Sequence, residues 1–81
     1  HIFSYIELGE KHAIIEVAVP DSWQGHSIGE LDIRRKYGVN ILGVKRNDKT
    51  DVNISPETVL DSSLTLLVLG EYTVLKKCFR L

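Results

Sequence analysis

The run 63–69, S-L-T-L-L-V-L, constrains the fold of this chain more than any other feature of its sequence. It is almost continuously apolar and only seven residues long, which is typical of a strand buried inside a sheet. A second run, 13–19, is rich in β-branched residues and has Glu16 as its only charge, so it predicts another strand. The chain is therefore expected to fold around a β-sheet.

Weaker patterns supply the remaining elements. Residues 1–12 form a lead-in with a strand expected over 3–8, and a further strand is expected over 39–45. Turn residues at 47–49 predict that a short strand over 51–54 pairs back on it. The segment 72–81 predicts a terminal helix with Leu75, Phe79 and Leu81 available to pack. Together with one helix in the middle of the chain, this order gives an α+β fold: a small β-α-β-β-β sheet domain with a C-terminal helix.

The middle helix has signals at both ends. Ser27 and Glu30 have the S-x-x-E spacing of a capping box, in which each side chain bonds the backbone amide of the other residue. Gly38 stands where a helix ends in a left-handed residue. The sequence therefore predicts one helix over 28–37, just under three turns long.

The apolar residues of this helix do not share one stripe. At about 100° per residue, Ile28 and Leu31 lie about 60° apart and form the core stripe. Ile33 and Tyr37 are one turn apart and are expected to point away from it. Isolated apolar residues are common on surfaces, so this second face is either ordinary surface or a self-association or ligand surface.

The next strand is also expected to be apolar on both faces. Simple alternation places Val39 and Ile41 on one face, and Leu42 and Val44 on the other face with Asn40. A second layer is therefore expected near the start of this strand, which favours the interpretation of the Ile33 and Tyr37 face as a surface for a partner or ligand.

Composition excludes several classes of function. The 81 residues suit one domain (1–81) with a net charge of −1, which lacks the basic excess of nucleic-acid binding. No apolar run approaches the roughly 18–20 residues that span a membrane, and a single cysteine, Cys78, favours a cytoplasmic setting. The scattered His1, His12 and His26 predict no metal site. Cys78 is expected to pack and Asp61-Ser62-Ser63 to form a turn, so no enzyme is expected.

A family resemblance centres on residues 31–41, L-D-I-R-R-K-Y-G-V-N-I. The segments L-D-I-R, K-Y-G and N-I within it resemble the C-terminal regulatory domain of potassium-conductance regulators, called RCK-C or TrkA-C. I-I-E-V-A-V-P, W-Q-G-H-S-I, D-V-N-I-S-P and L-T-L-L-V-L-G are similar to other segments of that family, so the resemblance covers essentially the whole chain. It is strongest to the cytosolic gating-ring subunit of bacterial Ktr-type potassium uptake systems.

The resemblance implies a ligand and roles for individual residues. One branch of the family binds cyclic di-adenosine monophosphate (c-di-AMP) at the interface of a two-fold homodimer. By position, Arg34 would bind a phosphate, while Asp32 and Asn40 would hydrogen-bond adenine or nearby backbone. Ile33, Ile41 and Pro56 would line the walls around the base, and Tyr37 is grouped with these ligand-binding residues.

The resemblance also implies partners. The chain would be a fragment of a longer protein with an N-terminal Rossmann domain, held in the cytoplasm at the membrane by a potassium transporter subunit, without inserting into the membrane itself. No cofactor is expected. The alternatives that remain are a ligand-free dimerisation module of the gating ring and a sensor of a different small metabolite.

Overall fold

The computed structural model describes residues 2–81, and this part of the chain forms five strands and three short α-helices. The strands are β1 (Ile2–Leu8), β2 (His12–Ala18), β3 (Asn40–Arg46), β4 (Lys49–Asp51) and β5 (Thr65–Glu71). The helices are α1 (Ile28–Leu31), α2 (Ile33–Tyr37) and α3 (Tyr72–Phe79), and a single 3-10 turn spans Asp21–Trp23. The predicted α+β class is confirmed.

All five strands join one antiparallel sheet in the order β1-β2-β5-β3-β4. The two apolar runs recognised in the sequence become its two central neighbours, β2 and β5, which pair along their whole length from His12 opposite Glu71 to Ala18 opposite Thr65. The last strand of the chain, β5, therefore lies at the centre of the sheet, between β2 and β3.

The core lies on one face of this sheet. Alternate residues of the central strands, such as Ile15 and Leu66, are fully buried there, as the two-residue period of a strand requires. Leu75 of α3 and Trp23 of the 3-10 turn pack into the same core. The Trp23 ring lies 5.2 Å from the ring centroid of Tyr37 and 5.5 Å from that of Phe79, which confirms that Trp23 is a packing residue.

The opposite face of the sheet, called the open face below, is only partly covered. Its apolar side chains on the central strands, Ile14, Leu67 and Leu69, are half-buried, while Ile6 on β1 is 57% exposed. A polar cluster also lies there, centred on the Glu16 carboxylate.

The prediction of a single helix over 28–37 is wrong. Asp32 adopts a left-handed conformation with φ 51° and ends α1, and α2 starts anew at Ile33. Aspartate tolerates this conformation better than most residues. The break turns Ile33 into the core, where it is 3% exposed, so the expectation that Ile33 points away from the core is also wrong. The capping box of Ser27 with Glu30 and the left-handed Gly38 are confirmed.

The expected alternation of faces along β3 is also wrong, because this strand too is interrupted locally. A bulge between Ile41 and Gly43 inserts Leu42 as an extra residue, and a bulge of this kind changes which face the later residues occupy. Val44, opposite Leu66, therefore returns to the core face with Ile41 and is 7% exposed. Leu42 is 37% exposed.

Several element boundaries differ from those predicted. The turn after β3 is formed by Asn47 and Asp48, both with positive φ, so β4 covers Lys49–Asp51 and the strand expected over 51–54 is wrong. β5 runs to Glu71. α3 ends at Phe79 because Arg80 is left-handed with φ 56°.

Two further features concern the described residues only. Among residues 2–81, no helix is long and apolar enough to cross a membrane. The same residues contain no group of three or more His, Cys, Asp or Glu side chains arranged to hold a metal ion. His1 lies outside the described residues.

Candidate functional site

A cleft of about 630 Å³ lies where α1, α2 and the start of β3 meet the loop that contains Pro56. Six of the seven residues predicted to bind a ligand line this cleft. They are Asp32, Ile33, Arg34, Asn40, Ile41 and Pro56. Its volume lies within the range of roughly 300–1,000 Å³ that is usual for small-molecule sites. It is therefore the candidate site.

The break between α1 and α2 arranges the charges of the cleft. Asp32, at the break, accepts a hydrogen bond from the Nε of Arg35, which also lines the cleft. The ion pairs formed among residues 2–81 do not include Arg34, whose side chain lies on the exposed surface of α2. The cleft thus has one compensated pair and one uncompensated guanidinium. Arginine in this situation suits a phosphate or carboxylate group.

Pro56 closes one side of the cleft through a close backbone approach. The amide of Gly29 donates a hydrogen bond of 2.8 Å to the carbonyl of Pro56. A Cβ at Gly29 would lie 2.9 Å from the Cβ of Pro56, which is closer than two carbon atoms tolerate. Glycine is therefore required there to let Pro56 reach the first turn of α1, and no local sequence pattern indicates this requirement.

The start of β3 forms the opposite wall. Val39 is fully buried and Ile33 nearly so. Both residues therefore support the floor of the cleft and offer little surface to a ligand. Ile41 is half-buried and Asn40 is exposed. The cleft therefore combines a small apolar surface from Ile41 and Pro56 with the amide of Asn40, which both donates and accepts hydrogen bonds.

Tyr37 is the predicted ligand-binding residue that does not line this cleft. It lies at the other end of α2 against Trp23 and borders two different clefts, one of about 600 Å³ next to α3 and one of about 550 Å³ next to the 3-10 turn. Conversely, four residues line the candidate site that sequence reasoning did not assign to it: Ile28, Gly29, Arg35 and Val39.

The cap of α1, beside the cleft, is reinforced electrostatically. The Oε2 of Glu30 lies 3.0 Å from the Nδ1 of His26, and its Oε1 accepts a 3.0 Å bond from the amide of Ser27. These bonds lower the pKa of the Glu30 carboxyl, and the bond to His26 has the largest effect. His26 thus acts as a partner of the helix cap.

The free cysteine is not arranged for chemistry. Cys78 is half-buried in α3, and this burial raises the pKa of its thiol to about 11. Since the thiolate is the reactive form, the prediction that Cys78 packs is consistent with its surroundings. Asp61 accepts a 2.8 Å bond from the amide of Ser63, which confirms the predicted turn there.

Known proteins resemble this chain in sequence as well as in structure. The sequence profile of the TrkA-C domain matches residues 12–80. Ktr system potassium uptake protein C of Bacillus subtilis (strain 168) is 33% identical over 73 residues, which cover 90% of this chain and 33% of that protein. The chain thus spans about a third of the length of the curated relatives it matches.

The solved structures that share this fold include two RCK domains. The RCK C domain of the potassium transport protein KtrA, solved in complex with c-di-AMP, is 30% identical with a TM-score of 0.77, covering 85% of this chain and 81% of that one. The GsuK RCK domain is 28% identical with a TM-score of 0.80, covering 96% of this chain and 17% of that one.

Proposed function

This chain belongs to the TrkA-C domain family, and we propose that it is a regulatory domain of a potassium transport system that binds c-di-AMP in the cleft beside Arg34. The observation that carries this proposal is the uncompensated guanidinium of Arg34 at a cleft with apolar walls. The KtrA domain solved with c-di-AMP, 30% identical to this chain, supports the choice of ligand.

The chemistry of the ligand fits the residues of the cleft. A cyclic dinucleotide carries two phosphates and two bases related by two-fold symmetry. Two copies of this domain, placed around the same axis, offer one Arg34 to each phosphate. Ile41 and Pro56 would pack against each base, while Asn40 would hydrogen-bond its edge. The ligand is thus shared by a homodimer, and each chain supplies half of the site.

The same proposal extends to the intact protein. The TrkA-C domain would follow a Rossmann domain in a longer chain of the gating ring, which stays in the cytoplasm and contacts a membrane-embedded potassium transporter subunit. Binding of c-di-AMP would tighten the pair of TrkA-C domains, and this change would pass to the ring. The domain would act by binding alone, without catalysis and without a cofactor.

The test is calorimetric titration of the 81-residue chain with a panel of c-di-AMP, AMP, ATP and NAD. We expect measurable binding of c-di-AMP and much weaker binding of the others. Replacing Arg34 by alanine removes a charge-assisted hydrogen bond, which costs roughly 1.5–3 kcal/mol per contact, or about 10- to 150-fold in affinity.

The matched control is Arg46→Ala. Arg46 has the same charge and is also exposed, but it lies outside the cleft, where it pairs with Asp61. Arg35 is unsuitable as a control because it lines the cleft and holds Asp32. Equal losses of affinity for Arg34→Ala and Arg46→Ala would indicate a diffuse charge effect and would exclude the proposed contact. Stronger binding of another nucleotide would assign the cleft to a different metabolite.

A further inference from the structure

The edge strand β1 is the largest exposed apolar element of the described chain. All seven of its residues are exposed, and five of them are large and hydrophobic: Ile2, Phe3, Tyr5, Ile6 and Leu8. Its only neighbour in the sheet is β2, so its other side presents unpaired backbone amides and carbonyls. Strands with these properties pair readily with another strand.

Nothing in β1 protects it from such pairing along most of its length. It contains no proline and no lysine, and Glu7 is its only charged residue. A bulge at Phe3 interrupts the register with β2, but from Ser4 to Leu8 the pairing is regular. Five consecutive residues therefore form an uninterrupted edge.

We propose that β1 pairs in antiparallel fashion with β1 of a second copy of this chain, so that two five-stranded sheets join into one. This pairing places the two-fold axis at Ile6, the central residue of the regular segment, so that Ile6 lies opposite the partner's Ile6. Ser4 then lies opposite the partner's Leu8, and Tyr5 lies opposite the partner's Glu7.

This register matches hydrogen-bonding groups on one face of the joined strands and apolar groups on the other. Tyr5 and Glu7 point to the core side of the sheet, since they pair with Ile15 and Ala13 in β2. Each Tyr5 hydroxyl can donate to the carboxylate of the partner's Glu7, and the two glutamates do not face each other. Within one chain, desolvation and then the Glu7 carboxylate already raise the pKa of the Tyr5 hydroxyl.

The second side of the joined strands is apolar. Ile6 points to the open face with Ile14, its partner in β2, so the central pair of Ile6 side chains extends the apolar surface of Ile14 across the two-fold axis. An unrelated extended peptide would satisfy the backbone of β1, but it would not supply both the matched isoleucine and the two Tyr5 to Glu7 contacts. The second copy is therefore the occupant that this edge fits.

The interface at β1 is separate from the candidate ligand site. Two strands, β2 and β5, lie between β1 and β3 in the sheet. Pairing through β1 therefore needs no ligand and does not involve Arg34. It would allow one TrkA-C domain to contact two copies at once, one through the shared ligand and one through the sheet.

The test is sedimentation of the 81-residue chain over a range of concentrations without ligand. The wild-type chain should form dimers. Ile6→Lys places two like charges opposite each other and removes the central apolar pair, so it should weaken dimerisation by roughly tenfold or more. Val52→Lys is the matched control, because Val52 is similarly exposed at 66% but lies outside β1. It should leave the dimer intact.

Hydrogen exchange identifies the surface that pairs. In the wild-type chain, amides of residues 4–8 should exchange more slowly as the protein concentration rises, and Ile6→Lys should abolish this dependence. A monomer up to several hundred micromolar would overturn the proposal, as would a dimer in which exchange of residues 4–8 does not change with concentration. Because no nucleotide is present, these results are independent of whether the chain binds c-di-AMP.

Discussion

The two edges of the sheet are built in opposite ways. At one edge, β4 has three residues, of which Lys49 and Asp51 are charged. At the other edge, β1 has seven residues and a single charge, Glu7. Short, charged edges resist pairing with other chains, and long apolar ones invite it. The sheet is thus protected at its β4 edge and left open at its β1 edge.

The difference shows how so small a domain can serve two kinds of contact. At the start of β3, residues of α1, α2 and the Pro56 loop line a cleft of the size that suits a small molecule. At the β1 end there is a single hairpin, exposed along its outer strand. We therefore expect substitutions around β3 and the cleft to lower the stability of the fold. Substitutions in β1 should instead affect association between copies of the chain.

Glycines at the two ends provide the largest expected contrast. A Cβ at Gly43 would lie 2.8 Å from the carbonyl oxygen of Asp51, so Gly43→Ala should destabilise the fold by about 2–3 kcal/mol. Gly9 has φ +70°, but a Cβ there would have no atom within 4 Å, so Gly9→Ala should cost only about 1–2 kcal/mol from backbone strain. Urea unfolding measures both. Equal or inverted costs would contradict the contrast in packing.

Two serines give a smaller contrast. Ser27 caps α1 by accepting a 3.1 Å bond from the amide of Glu30, and Ser27→Ala should destabilise the domain by about 1 kcal/mol. Ser4 in β1 donates a 3.2 Å bond to Glu16 on an exposed surface, so Ser4→Ala should change stability by less than about 0.5 kcal/mol. Thermal melting of both variants is the measurement. A loss at Ser4 as large as that at Ser27 would mean that β1 is held more firmly than its exposure indicates.

The smallest expected effect is a dependence on pH at the polar cluster of the open face. The pKa of the Glu16 carboxyl is lowered, most strongly by a hydrogen bond from Thr65 and less strongly by Lys45 and Ser4. A carboxyl whose pKa is lower in the folded state stabilises the fold fully above its unfolded value of about 4.3. This contribution is lost as the pH falls through the lowered folded value.

The comparison of wild type with Glu16→Gln measures this contribution. The difference between their unfolding free energies should be about 1 kcal/mol or less at pH 7 and should shrink below about pH 4. A difference that stays constant from pH 7 to about pH 2 would show that the ionised carboxylate does not stabilise the cluster that joins β1 to the centre of the sheet.

Much of the fold could be predicted because it depends on local patterns. The apolar runs that became β2 and β5, the capping box at Ser27 and the stop at Gly38 are each set by a few neighbouring residues. The break at Asp32 could not be predicted, since a helical projection assumes a constant turn per residue. The bulge at Leu42 has no side-chain signature of its own, yet it moved Val44 to the core face.

The candidate site depended on more than local patterns. Periodicity placed Ile33 outside the core, whereas the family resemblance grouped it with Arg34, Asn40 and Pro56, and these residues do meet at one cleft. The approach of Pro56 to α1 is a tertiary contact that needs Gly29, and only the folded chain reveals it. The roles of these residues toward a ligand stay predictions.

Stoichiometry of c-di-AMP binding is the most direct test of the central proposal, a ligand shared by two copies at the Arg34 cleft. Calorimetry should give one c-di-AMP for every two chains. Stabilisation of the fold should approach about 2.7 kcal/mol when the free ligand concentration is about 100 times the dissociation constant. The Ile6→Lys variant should bind with the same stoichiometry, because the cleft is remote from β1. One ligand per chain, or no binding, would contradict the shared site.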